Sequence, residues 1–128
     1  MSYNWGPRYI VPSEIFETYS GNVLLREEFD EDLLHKQLEQ LGVAGPIVKI
    51  TNPWYYRKKN TNTWIKIGES EDRSGHFSVM WDTTNLQNGQ YEVMGLMHVF
   101  VRKEAKDITI AGQNIVEVAV ENRDATSA

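Results

Sequence analysis

The sequence has no cysteine, which excludes disulfide staples, thiolate metal sites and a cysteine nucleophile while leaving the redox compartment open. Positive charge is also scarce: 13 Lys and Arg stand against 18 Asp and Glu, a formal net charge of -5. Proteins that hold nucleic acid by its phosphates do so with clustered cations, so this balance argues against such a partner. The one basic run, Arg57-Lys58-Lys59, is short and precedes Asn60-Thr61-Asn62, as a solvated hairpin tip would. No apolar run approaches the roughly 18 residues that a helical membrane span needs, and the first residues carry no charged, then apolar, then small-residue signal. Repeats and low-complexity tracts are missing too.

What is present is the balance of a globular chain, 41% hydrophobic and 24% charged over 128 residues. That length fits one domain, and folding it removes roughly two-thirds of the unfolded surface from water. We read residues 1–128 as a single domain, with an N-terminal arm at 1–12, a β-sandwich with a helix insertion at 13–121 and a loose tail at 122–128.

One helix is legible, over residues 31–41. Asp30 is a suitable N-cap, Glu31 and Asp32 favour the positive end of the helix dipole, and Gly42 supplies a left-handed exit. Leu34, Leu38 and Leu41 fall at helical spacing with Leu33 beside them. Before the helix, Tyr9 to Pro12, Ile15 to Tyr19 and Val23 to Leu25 are short extended candidates.

From Pro46 onward the period drops to two. Ile47 to Ile50 and Trp54 to Arg57 read as strands separated by Asn52-Pro53, and Thr63 to Ile67 returns across the polar tip Lys58 to Asn62 as a hairpin. Gly68 to Gly75 reads as a loop. In His76 to Asp82, the side chains of Phe77, Val79 and Trp81 share one face. Tyr91 to Val101 is apolar on both faces through Met94, Leu96, Val99 and Phe100, so something besides water is expected on its second side. Ile108 and Ile110 form a short piece, Ala111 to Asn114 reads as a turn, and Ile115 to Glu121 alternates as the last strand.

The stretch from Phe77 to Val93 contains Trp81-Asp82-Thr83-Thr84, then Leu86, Gly89 and Tyr91. With the closing strand Ile115 to Asn122, it resembles bacterial immunoglobulin-like and fibronectin type III-like modules, over residues 77–121. The resemblance implies a mainly β, immunoglobulin-like antiparallel β-sandwich carrying one short α-helix, with Leu86, Gly89 and Tyr91 as its tyrosine corner. It favours an extracellular or cell-surface setting, and it implies a fold more than a task, since such modules bind proteins, sugars or nothing.

Candidate chemistry is thin. His35, His76 and His98 have no metal-ligand spacing, Glu69, Glu71 and Asp72 lack the calcium-loop pattern, and no nucleophile elbow or phosphate-cradling glycine loop occurs. We therefore assign no catalytic residue, metal or cofactor. The expected ligand or partner surface is the aromatic hairpin, Trp54, Tyr55, Tyr56, Arg57 and Trp64, because alternation must send some of those rings outward. The first expectation is a non-catalytic module that packs against a protein partner or sister subunit. The second is a carbohydrate-binding sandwich using Trp54, Tyr56 and Trp64 as a platform. The third is a small enzyme whose site the sequence does not display.

Overall fold

Two-residue alternation organises the longest elements of the protein, whose computed structural model describes residues 2–3, 9–10, 18–27, 31–43 and 45–122. Strands β7 (Gly89–Lys103) and β8 (Lys106–Val120) form an unbroken hairpin, with Gly89 opposite Val120 and Lys103 opposite Lys106. On the other side of β7, β4 (Ile47–Lys58) pairs antiparallel, and β5 (Ile65–Ser70) extends the sheet beyond β4. β1 (Ser2–Tyr3) adds to β8 in parallel, so the order is β1-β8-β7-β4-β5. A second, antiparallel sheet has the order β2-β3-β6, from β2 (Tyr9–Ile10), β3 (Asn22–Glu27) and β6 (Val79–Asp82). The protein is thus mainly β, with two sheets and one short helix among the described residues.

The inward face of β7 divides the core. Tyr91 and Val93 join Trp54 of β4, Val118 and Val120 of β8, Val23 and Leu25 of β3, and Trp81 of β6 in a cluster shared by the two sheets. Further along the same face, Met97, Val99 and Val101 join Ile50, Ile110 and Phe77 beneath the helix α1 (Glu31–Gln40), which contributes Leu34 and Leu38. Burial of each such leucine stabilises the fold by roughly 1.5–3 kcal/mol relative to exposure. Leu33 and Leu41, expected in the same stripe, remain exposed, because a ten-residue helix on a sheet buries only its i, i+4 row. Gly42 takes the left-handed exit at φ 73°, while Asp30 lies outside the described residues.

Several boundaries differ from the local sequence signals. Asn52-Pro53 does not divide a strand: β4 runs through it, paired with β7 at Thr51 and again at Trp54, and with β5 at Asn52, Pro53 and Trp54. A bulge in the pairing with β5 follows between Trp54 and Tyr55. Gly68 to Ser70 belongs to β5 rather than to a loop. Ala111 to Asn114 is not a turn, because its backbone is paired residue for residue with Gly95 to His98. The actual reversal is at Glu104 and Ala105, both with positive φ (51° and 64°), as a two-residue hairpin turn requires. His76 and Phe77 also have positive φ and lie in a turn, which sends the Phe77 ring under the helix while Trp81 enters the inter-sheet cluster. Of the expected arm and N-terminal strands, residues 4–8 and 11–17 lie outside the described residues. Tyr19 makes a parallel bridge to Val120.

Candidate functional site

The alternation of β4 decides which aromatic residues reach the surface. Trp54 does not: it is fully buried, and its indole Nε1 donates to the Phe77 carbonyl at 2.8 Å. Its partner across the ladder is Gly95, and a Cβ there would stand only 3.1 Å from the indole ring, so the missing side chain makes room for the tryptophan. The expectation that Trp54 forms part of a binding surface is corrected accordingly. Tyr56, two residues on, shares the inward face. Its ring lies 5.4 Å from that of Trp81 and 6.2 Å from that of Tyr91.

Tyr55 and Arg57 take the outward face. The Arg57 guanidinium lies 4.3 Å from the centre of the Trp64 ring, and its Nε donates to Glu92 at 3.0 Å. Trp54, Tyr56 and Trp64 are therefore not brought together as one flat platform: the first is in the core, the second lines the inward face, and the third is half-covered by an arginine on the outer side. A stacked cation of this kind is worth about 0.5–2 kcal/mol and fixes the ring it covers.

Cross-strand register assembles the outward face from residues far apart in sequence. Tyr55, Met94 and Ile115 form one row across β4, β7 and β8, with Lys66 of β5 at its end. Thr51, His98 and Ala111 form another, and Lys49, Phe100 and Thr109 a third, in which the Lys49 ammonium lies 4.9 Å from the Phe100 ring centre. Between these rows Leu96 stands opposite Gln113. Met94 is only 9% exposed and Ile115 is 40% exposed; Leu96, His98 and Phe100 are half-buried. Charged groups border the apolar rows, with Arg57 and Glu92 at one end, Arg102 bonded to Asp107 at the other, and Lys66 bonded to Glu69 along the β5 edge. Burial holds the His98 imidazole below the ordinary histidine pKa, partly offset by the nearby Glu69 carboxylate.

Leu86, Gly89 and Tyr91 lie towards the opposite end of β7. The Tyr91 hydroxyl donates to the Gln87 carbonyl at 2.7 Å, Leu86 packs against the inter-sheet cluster, and Gly89 opens β7 at φ 151°. Beside them is a feature that sequence reasoning missed. Asn122, expected in a loose tail, accepts from the Gly21 amide at 3.0 Å, donates through its side chain to the Thr83 carbonyl, and bonds through its own amide to Asn88 at 2.8 Å. Its polarity resembled that of the residues after it, and its partners lie up to 101 positions away. The remainder of the tail, 123–128, lies outside the described residues.

Possible reactive groups are scattered. His35 is on the exposed side of α1, His76 is in the turn before β6, and His98 is on the outward sheet face. Asp72 is held below the ordinary carboxylate pKa by hydrogen bonds from Ser74 and the Gly75 backbone, and Asp82 by those from Thr84. Among the described residues no group of three His, Asp or Glu side chains is placed to hold a metal ion. No helix among them is long and apolar enough to cross a membrane. No family model, curated protein or solved structure matches the chain.

Proposed function

We propose that the chain is a non-catalytic, immunoglobulin-like β-sandwich module that binds a protein partner or sister subunit through the outward face of β4, β7 and β8. Two features support the fold part of this reading. A first strand lies parallel to the last at one edge of a sheet whose remaining order is β8-β7-β4-β5, and the Tyr91 hydroxyl closes a corner onto Gln87, as in the tyrosine corner of such modules.

The observation that carries the binding part is the second face of β7. A strand with water on one side alternates apolar with polar residues. β7 instead sets Met94, Leu96 and Phe100 outward against Val93, Met97 and Val99 inward. With Tyr55 and Ile115 alongside, the outward set makes an apolar stripe, interrupted at His98, between charged borders, the anatomy of an interface with an apolar centre and polar rim. The split of Trp54, Tyr56 and Trp64 between core and surface gives a saccharide platform less support.

Sedimentation velocity of the full chain, from micromolar to millimolar concentration, tests this reading. It calls for a concentration-dependent rise in sedimentation coefficient, lost in Ile115→Glu, which places a charge at an exposed point of the stripe. A parent chain that stays monomeric throughout sinks the proposal in its sister-subunit form.

A further inference from the structure

Away from the outward face, the β4–β5 hairpin tip and the corner before β7 border an open cleft of about 420 Å³. Tyr56, Ile65, Leu86 and Tyr91 make its apolar lining, and Ile65 is 48% exposed. Lys58, Thr61 and Thr63 line it from the hairpin; Asn85 and Gln87 line it from the corner.

Both walls are braced. The Lys58 ammonium donates across the cleft to Gln87 Oε1 at 2.9 Å, and the Thr61 hydroxyl donates to the Lys58 carbonyl at 2.6 Å. On the corner side, the Tyr91 hydroxyl holds the Gln87 carbonyl and the Leu86 amide donates to Thr83 at 2.9 Å. A site held open by its own hydrogen bonds loses less entropy when it binds.

Charge narrows the choice of ligand. The chain has five more acidic than basic residues, yet none of the described residues lining this cleft is acidic. Within the basic run, Arg57 is paired with Glu92 and Lys59 with Glu117, whereas Lys58 is held by a neutral amide. An ammonium without a carboxylate partner among the described residues, beside an aliphatic and aromatic lining, suits a ligand that joins an apolar group to an anion.

We infer that this cleft binds an acidic peptide segment, with an apolar side chain inserted between Tyr56, Ile65 and Leu86 and an adjacent carboxylate on Lys58 Nζ. The exposed aliphatic surface of Ile65 favours a peptide over a sugar, because the Tyr56 ring is already engaged with Trp81 and Tyr91. Residues 61–64, beside the cleft, lie outside the β4–β5 ladder, where a peptide main chain has room to meet them. This site is independent of the outward face, since Tyr56 and Tyr55 point to opposite sides of the sheet.

The test is a methyl and amide NMR titration of the full chain with acetyl-Leu-Asp-Leu-amide and with its Leu-Asn-Leu counterpart. The expected result is saturable shifts at Ile65, Leu86 and Thr63, with the aspartate peptide binding about fivefold tighter, as one exposed charge-assisted hydrogen bond allows. Lys58→Gln, at an exposed position, should remove that preference, so that the aspartate and asparagine peptides bind equally. Absence of cleft shifts at millimolar peptide, or equal affinity for the two peptides, overturns the inference. Saturation by an acidic disaccharide with no response to either peptide also overturns it and identifies a saccharide site instead.

Discussion

Gly95 of β7 lies beneath the Glu27 side chain of β3: a Cβ added at Gly95 would stand 2.9 Å from Glu27 Oε1 and 3.1 Å from the Trp54 ring. Glu27 is fully buried, and this contact sits where the inter-sheet cluster ends and the cluster beneath the helix begins. Gly95→Ala should therefore destabilise the fold by about 1–3 kcal/mol through overpacking, although its backbone is ordinary extended strand. Urea unfolding measures this, and an unchanged midpoint would mean that Glu27 and Trp54 move aside freely.

Tyr91 is buried, and burial raises its phenol above the ordinary tyrosine pKa near 10. A phenol whose pKa is raised on folding holds its proton more tightly in the native state, so its contribution is complete below about pH 10 and is lost as pH rises from there through the native pKa. Tyr91→Phe, which removes the bond to Gln87, should cost about 1 kcal/mol at neutral pH and flatten the alkaline loss. Thermal unfolding between neutral and alkaline pH checks both parts. Identical alkaline slopes for parent and variant would contradict the assignment to Tyr91.

Glu104 and Ala105 both occupy the left-handed region, at the tip of a hairpin 15 residues deep on each side. Neither residue favours that conformation, whereas Asn-Gly does. Replacing them by Glu104→Asn and Ala105→Gly should raise stability by about 1 kcal/mol, read as a higher denaturation midpoint with an unchanged slope. A lower midpoint would show that the turn conformation is held by something other than its own torsions.

For His98, the dominant burial effect lowers the pKa and Glu69 opposes it. The unfolded chain then takes up the proton first as pH falls below the ordinary histidine value near 6.5. Stability is full above that value and declines as pH falls towards the lower native pKa. Losses linked to Asp72, Asp82 and Glu69, whose pKa values are depressed by hydrogen bonds, begin only in the carboxylate range. His98→Gln should remove the first phase and keep the second. An NMR titration placing the His98 midpoint above 6.5 would reverse the sign and refute this account.

Periodic features were legible in the sequence because they are local. The helix with Leu34 and Leu38 inside and the two-faced strand around Met97 follow from spacing, whereas the role of Leu86, Gly89 and Tyr91 is expected only from the family resemblance. Alternation required one of Trp54 and Tyr55 to face outward but could not say which. That choice depends on Gly95, 41 positions further along, which accommodates the indole across the ladder. Ala111 to Asn114 has turn composition, and pairing with Gly95 to His98 overrides it. The Asn122 clasp and the cleft by Lys58 are likewise products of contacts between distant segments, with no short-range signature.

The central claim, that the stripe around Met94, Leu96 and Ile115 is a contact surface, is most directly tested by methyl spectra of the full chain recorded across a dilution series. The account expects the Met94, Leu96 and Ile115 methyls to shift with concentration while Leu34, Leu38 and Val99 in the core stay fixed, and expects Ile115→Glu to abolish the change. Concentration-independent spectra would contradict the claim in its sister-subunit form, and shifts centred on any other surface would contradict it outright.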